Sequence, residues 1–266
     1  MKKRPIGIFD SGLGGLTILK SLLGALPHEH FIYFGDSANV PYGAKSKQTV
    51  TKLSLAIAHF LEQQGVKLII VACNTASAQA LSSLRKYCKV PVLGVIEPGA
   101  RKAALFTKNR RVALLGTEGT VRSKAYEKAL QKIDKHIRVI SQPCPLFVPL
   151  VEENWTHKEA ARLIAQEYVS PLQKEEVDTV ILGCTHYPIL KPLLTKIMGP
   201  DVALVDPSDT LAEEVHTLLT RTGQAQEKGR GSVQFYASDD TARFKRLAKQ
   251  ILHTPIRTVR LKKLNV

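Results

Sequence analysis

Lys67-Leu-Ile-Ile-Val-Ala-Cys73-Asn-Thr-Ala-Ser77 decides the fold, because the chain nearly repeats it as Thr179-Val-Ile-Leu-Gly-Cys184-Thr-His-Tyr-Pro188. Each stretch is an apolar, β-branched run that stops at a small residue, then Cys, then Asn74 or Thr185 as a candidate helix cap. A run without polar alternation reads as a strand buried on both faces of a parallel sheet. The polar residues behind it suit a helix N-terminus, and Pro188 falls where an early-turn proline is tolerated. Both cysteines are therefore expected at strand C-termini facing a helix start, where open α/β sheets bind ligands. They lie 111 residues apart (184 less 73), about the size of one compact α/β unit. A thiol displayed once by each of two similar units can meet its counterpart across a shared cleft.

Working outward, the same alternation of strand and helix continues. Pro5–Ser11 reads as a strand ending in Gly12-Leu-Gly14-Gly15 and a helix, and Phe31–Phe34 as a second strand ending at Gly35-Asp36-Ser37. A polar loop through Pro41-Tyr42-Gly43 leads to a helix over about 46–64, stopped by Gly65. After the Cys73 strand and its helix, residues 90–96 read as a strand, and Glu97-Pro98-Gly99 breaks the pattern. The scheme then restarts with the strand Arg111–Thr117, a strand at 138–141, a helical segment carrying Glu152 and Glu153, a helix over 157–168 and the Cys184 strand. Asp206-Pro207-Ser208 is a second break. The remainder is too short for a third domain and is expected to complete the first. The expectation is two doubly wound parallel-sheet α/β domains, 1–97 with 208–266 and 98–207, related by a pseudo-two-fold.

Composition narrows the classes. Four cysteines (73, 88, 144, 184) form neither a zinc-type pair nor a disulfide framework, which points to free thiols in a reducing compartment. The start has the charges of a secretory leader, but Asp10 interrupts its apolar segment. The longest uncharged stretch carries Asn74, Thr75, Ser77 and Gln79, so no membrane span is expected, and a cytoplasmic location is. The net charge of +15 is compatible with nucleic-acid contact or with steering an acidic substrate. The basic residues are dispersed, however, and no aromatic-interleaved basic motif is present, so no specific nucleic acid is expected.

Gly12-x-Gly14-Gly15 with Asp36 invites a dinucleotide fingerprint, but Thr17 stands where Gly or Ala is needed. Amides of this turn can instead hold a substrate carboxylate. A lone Cys after a strand is usually a small buried hydrophobe. Two in matching contexts are less easily dismissed: a helix N-terminus lowers a thiol pKa from about 8.5, which makes a thiolate available as a nucleophile or as a base. His186 can help move a proton at Cys184. Cys88 and Cys144 lack this context and read as structural. Asp36 reads as a helix cap, whereas Asp10 is expected to face the cleft with Cys73. Ser11, Asn74, Thr75, Thr117, Thr120 and Thr185 offer neutral donors for a small polar ligand.

Asp10-Ser-Gly-Leu-Gly-Gly15, Tyr33-Phe-Gly-Asp-Ser37 with Pro41-Tyr42-Gly43, Ala72-Cys-Asn-Thr-Ala76 and Gly183-Cys-Thr-His-Tyr-Pro188 resemble the cofactor-independent glutamate racemases of the aspartate/glutamate racemase family. Glu97-Pro-Gly99 and Thr120-Val-Arg-Ser123 fit the same pattern. The resemblance covers essentially the whole chain. It implies two pseudo-symmetric α/β domains with the active site between them, no cofactor and no metal. It implies that Cys73 takes the α-proton from D-glutamate and Cys184 from L-glutamate, with Asp10, His186 and Glu152 assisting. It implies substrate contacts at Asp10, Ser11, Tyr42, Gly43, Asn74, Thr75, Thr185 and His186, to which the hydroxyls of Thr117, at a strand end, and Thr120, at the start of the next helix, are added. D-Glutamate is a peptidoglycan building block, which implies a role in cell-wall synthesis. The expected partners are the small-molecule substrate and a second copy of the chain in a homodimer. The chain begins almost at its first strand, so the extension that accompanies activation by a cell-wall precursor in some members is not expected. The rivals are aspartate racemase or another two-cysteine racemase, a basic nucleic-acid-binding protein with structural cysteines, and a Cys-His hydrolase with Cys184 as nucleophile.

Overall fold

The unbroken apolar runs become strands because both of their faces are covered. The computed structural model describes residues 4–264; the charged start at Met1–Lys3 and the last two residues of the expected first domain lie outside the described residues. The strands are β1 (Ile6–Asp10), β2 (His30–Gly35), β3 (Leu68–Val71), β4 (Val92–Gly94), β5 (Arg111–Gly116), β6 (Arg138–Pro143), β7 (Thr179–Gly183), β8 (Ala203–Val205), β9 (Ser232–Ala237) and β10 (Val259–Leu261). Every residue of β1, β3 and β7 is buried.

They form two parallel sheets, ordered β10-β9-β2-β1-β3-β4 and β6-β5-β7-β8. Without β9 and β10 the two orders are the same: second, first, third, fourth. This shared topology is the doubly wound, pseudo-symmetric fold expected from sequence. Cys73 follows the third strand of one sheet, and Cys184 the third strand of the other.

The helices are α1 (Leu16–Ala25), α2 (Lys47–Gln63), α3 (Asn74–Tyr87), α4 (Ile96–Phe106), α5 (Glu118–Ser123), α6 (Ala125–Ile133), α7 (Phe147–Glu152), α8 (Glu159–Lys174), α9 (Lys191–Met198), α10 (Ser208–Arg221) and α11 (Thr241–Leu252). On one face of the larger sheet, Leu19, Leu22, Val215 and Phe244 of α1, α10 and α11 pack with Ile6, Ile8 and Ile70. On the other, Ile57, Leu61, Ala80 and Leu84 of α2 and α3 pack with Phe9, Ile69 and Val71. Successive strand residues thus enter opposite cores, and each large aliphatic side chain fully buried this way contributes about 1.5–3 kcal/mol. The smaller sheet is sandwiched likewise.

Three local readings are corrected. Residues 90–96 are not one strand: β4 is three residues long, and Ile96 opens α4, which runs through Glu97-Pro98-Gly99 without a break. Pro98 lies in the first helical turn, where its missing N–H costs no helical bond. The helix over 157–168 begins at Glu159 and continues to Lys174, through the solvent-exposed Pro171. Asp36 makes no side-chain cap bond. Its carboxylate instead accepts from the Tyr42 hydroxyl (2.6 Å), the Ser238 hydroxyl (2.7 Å) and the Asn39 amide (3.0 Å), tying the Tyr42 loop to the larger sheet.

Candidate active site between the two sheets

Because both sheets are parallel, all their C-terminal ends lie on one edge, and the two edges face each other. Between them lies a cavity of about 380 Å³. Cys73 and Cys184 both line it, together with Ser11, Tyr42, Gly43, Asn74, Thr75, Thr117, Glu152, Thr185 and His186. The matching strand–Cys segments are thus brought to one space, as their repetition implies.

Two expected members stand behind this lining. Contrary to the expectation that Asp10 faces the cleft, its side chain is fully buried and is not part of the wall. Oδ2 accepts from the Gly12 N–H at 2.9 Å, and Oδ1 from the Thr185 hydroxyl at 3.3 Å. The Gly15 N–H also bonds to this carboxylate. The Gly12 and Gly15 amides are therefore occupied by Asp10 and do not await a substrate carboxylate, which corrects that reading at these two positions. Burial pushes the Asp10 carboxyl up, against the pull of His186 and these donors. Thr120 is likewise fully buried, 3.0 Å from the Thr117 hydroxyl and 3.3 Å from that of Thr75. Thr75 and Thr117 are themselves 2.8 Å apart across the two halves. Gly14 explains the glycine turn: a Cβ there would run into Thr185 and the His186 ring, so only glycine lets the halves approach.

The helix caps also differ from expectation. Cys73, not Asn74, is the N-cap of α3, and its Sγ accepts from the Ala76 N–H at 3.4 Å. Thr185 caps no helix, because Cys184 leads into a short 3₁₀ turn, Tyr187–Leu190, with Pro188 in its first positions. The expected lowering of the Cys73 pKa does not hold. Burial, and then the Asp10 charge, push the thiol up to about 12 against the opposing Ala76 and Ser11 bonds. One N–H and the partial charge of a helix end do not compensate for removal from water.

The two thiols have different surroundings. Cys73 Sγ donates to Ser11 Oγ at 3.6 Å. Cys184 Sγ lies 3.8 Å from His186 Nδ1, and His186 Nε2 lies 3.1 Å from Glu152 Oε1. Burial alone would lower the His186 pKa, but its bonds to Cys184 and Glu152 win and push it up to about 10. Glu152 is held below its usual range: burial is outweighed by His186 and the nearby Arg243. Arg243 escaped the sequence reading. It reaches from α11 to Glu152 Oε2 (3.1 Å) and Glu153 Oε1 (3.4 Å) and lines the cavity, yet no local motif marks it. Cys144, read as structural, is buried with its Sγ 3.4 Å from the Gln142 carbonyl, and it also lines the cavity. Among the described residues no group of three or more His, Cys, Asp or Glu side chains is placed to hold a metal ion, and no helix is long and apolar enough to cross a membrane.

Fold and site define a class: two-sheet α/β proteins with a small-ligand cavity where matching sheet edges meet. Residues 15–215 match the Asp/Glu/Hydantoin racemase family, and the chain belongs to that family. It is 50% identical over 254 residues to the glutamate racemase of Geobacter metallireducens, covering 95% of this chain and 94% of the relative. Its structure is similar to that of a glutamate racemase isoform from Bacillus anthracis, with TM-score 0.95, 35% identity and coverage of 99% and 98% of the two chains. It is also similar to the glutamate racemase of Francisella tularensis in complex with D-glutamate, with TM-score 0.93, 38% identity and coverage of 99% and 98%.

Proposed function

We propose that this chain interconverts L- and D-glutamate without a cofactor, Cys73 serving one face of the α-carbon and Cys184 the other, and so supplies D-glutamate for peptidoglycan. The observation that carries the proposal is the display of one thiol at the equivalent strand end of each of two equivalently ordered sheets, both on one cavity. Inverting a stereocentre by proton transfer needs a base on one face and an acid on the other. The likeness to glutamate racemases over nearly the full chain supports glutamate as substrate.

The α-proton of an amino acid is weakly acidic, so the developing negative charge needs donors already in place. Ser11, Thr75, Thr117 and Thr185 supply neutral hydroxyls on the wall. With its pKa pushed up to about 12, Cys73 holds a proton and is ready to deliver one. In that direction Cys184 is the base, and His186, joined to Glu152, carries a positive charge beside it. The reverse direction exchanges the two roles. A homodimer belongs to the same proposal.

Circular dichroism of purified protein with L-glutamate, without added pyridoxal phosphate and with chelator present, should decay to the racemic zero. Glutamate should be preferred over aspartate by more than about tenfold in kcat/KM, equivalent to about 1.4 kcal/mol. Unchanged ellipticity, or equal use of aspartate, refutes the assignment.

A further inference from the structure

Asn74 is 2% exposed and lines the cavity, yet its amide nitrogen has no hydrogen-bond partner among the described residues. A buried donor without a partner is destabilising, and native proteins rarely leave one so. On a cavity wall, the missing partner is the occupant. The other end of the same amide is engaged: Tyr126 Oη donates to Asn74 Oδ1 at 2.7 Å. That bond crosses the cleft, since Tyr126 belongs to α6, beside the smaller sheet, and Asn74 to α3, beside the larger.

Which way the amide faces is settled by the tyrosine. Tyr126 is fully buried, and Asn74 is its one hydrogen-bond partner among the described residues. With the amide turned over, the NH2 group would donate to the phenol oxygen and leave the phenol proton buried and unpaired. With Oδ1 toward the phenol, that proton is satisfied. Burial, reinforced by the Asp206 and Cys184 charges, holds the phenol pKa well above its usual value, so the hydroxyl remains a donor. The ring is seated against Gly99, where a Cβ would come within 3.1 Å of both ring and hydroxyl. This gives a role to the Glu97-Pro-Gly99 motif.

We infer that Tyr126 is a positioning residue, whose hydroxyl fixes the Asn74 amide so that its NH2 group is presented to a carboxylate oxygen of the substrate. This rests on the racemase reading above and extends it to a residue that does not line the cavity. The contact exists before and after proton transfer, so its loss acts on KM more than on kcat.

The test is a double-mutant cycle on the full chain, with steady-state racemisation measured from both enantiomers. Tyr126→Phe keeps the ring and should raise KM about tenfold in both directions, the range of one hydrogen bond to a charged group, with kcat changed by less than about threefold. Asn74→Ala should cost at least as much. Adding Tyr126→Phe to Asn74→Ala should cost nothing further within about twofold, because the residue it positions is gone. Asn74→Asp keeps an acceptor for the phenol but turns an acceptor toward the substrate, so its KM should exceed that of Asn74→Ala. The inference is overturned by an unchanged KM in Tyr126→Phe, by a full tenfold loss persisting in the Asn74→Ala background, or by an Asn74→Asp variant no worse than Asn74→Ala. A wild-type chain that does not racemise glutamate removes the underlying reading instead.

Discussion

Titration of Cys73 sets burial directly against local bonding. Cys73 is 5% exposed, and burial followed by the Asp10 charge moves its thiol from 9.0 to about 12. A rise of about 3 units corresponds to about 4 kcal/mol in favour of the thiol and a roughly thousandfold smaller thiolate fraction near pH 8. A more basic thiolate is the better nucleophile by about 20-fold over that range, so alkylation of Cys73 should run about 50-fold slower than for an ordinary thiol. The assay is iodoacetamide labelling of ligand-free protein from pH 7 to 10.5, with the Cys73 peptide quantified by mass spectrometry. The labelling rate should still be climbing at pH 10, with no plateau. Asp10→Asn removes the second cause and should speed labelling across this range, still without a plateau near pH 9 because burial remains. A wild-type plateau with a midpoint at or below 9, or slower labelling in Asp10→Asn, refutes this reasoning.

Glu152 and His186 titrate in opposite senses, and their contact has a bounded pH window. The raised His186 contributes fully below its unfolded value of 6.5 and loses its contribution as pH climbs toward 10. The depressed Glu152 contributes above 4.5 and loses its contribution as pH falls. The difference in thermal midpoint between wild type and Glu152→Gln should therefore be largest from about pH 5 to 6.5 and shrink on both sides; a pH-independent difference contradicts the pairing. Elsewhere, Glu29 and Lys67 form a buried ion pair at 2.8 Å, and both also hold the chain at Gln224–Gln226. Glu29→Gln strands the Lys67 ammonium and should cost about 3–5 kcal/mol in denaturant unfolding, and a loss below about 1 kcal/mol would show that the pair is not buried in solution.

What the sequence made legible follows from the reach of each interaction. Continuous runs such as Leu68–Val71 announce doubly covered strands through one-dimensional pattern alone, and the repeated Cys context announces the second sheet. The order β2-β1-β3-β4 repeated as β6-β5-β7-β8 is the three-dimensional counterpart of that repeat. Asp10 was visible as a strand-end carboxylate, but its direction was not: whether it faces the cavity or the Gly12 amide depends on how closely the other half approaches. Arg243 reaches the site from the last helix, a placement set by β9 joining the larger sheet, and nothing near it in sequence signals this. The Cys73 pKa ran opposite to expectation because capping is local and readable, whereas burial is a property of the whole fold. Tyr126 was invisible for the same reason, since its partner lies 52 positions away on the opposite half.

Isotope incorporation in deuterium oxide tests the central claim, that one thiol removes the proton on one face while the other delivers a proton on the opposite face. Each thiol carries a single proton, so the one taken from the substrate stays on its own side, and the product receives one already exchanged with solvent. Started separately from L- and from D-glutamate and quenched early, the reaction should give product that carries α-deuterium from the first turnover while recovered substrate stays protiated. Substrate and product gaining deuterium together from either enantiomer would mean a single base serving both faces, and would contradict the account.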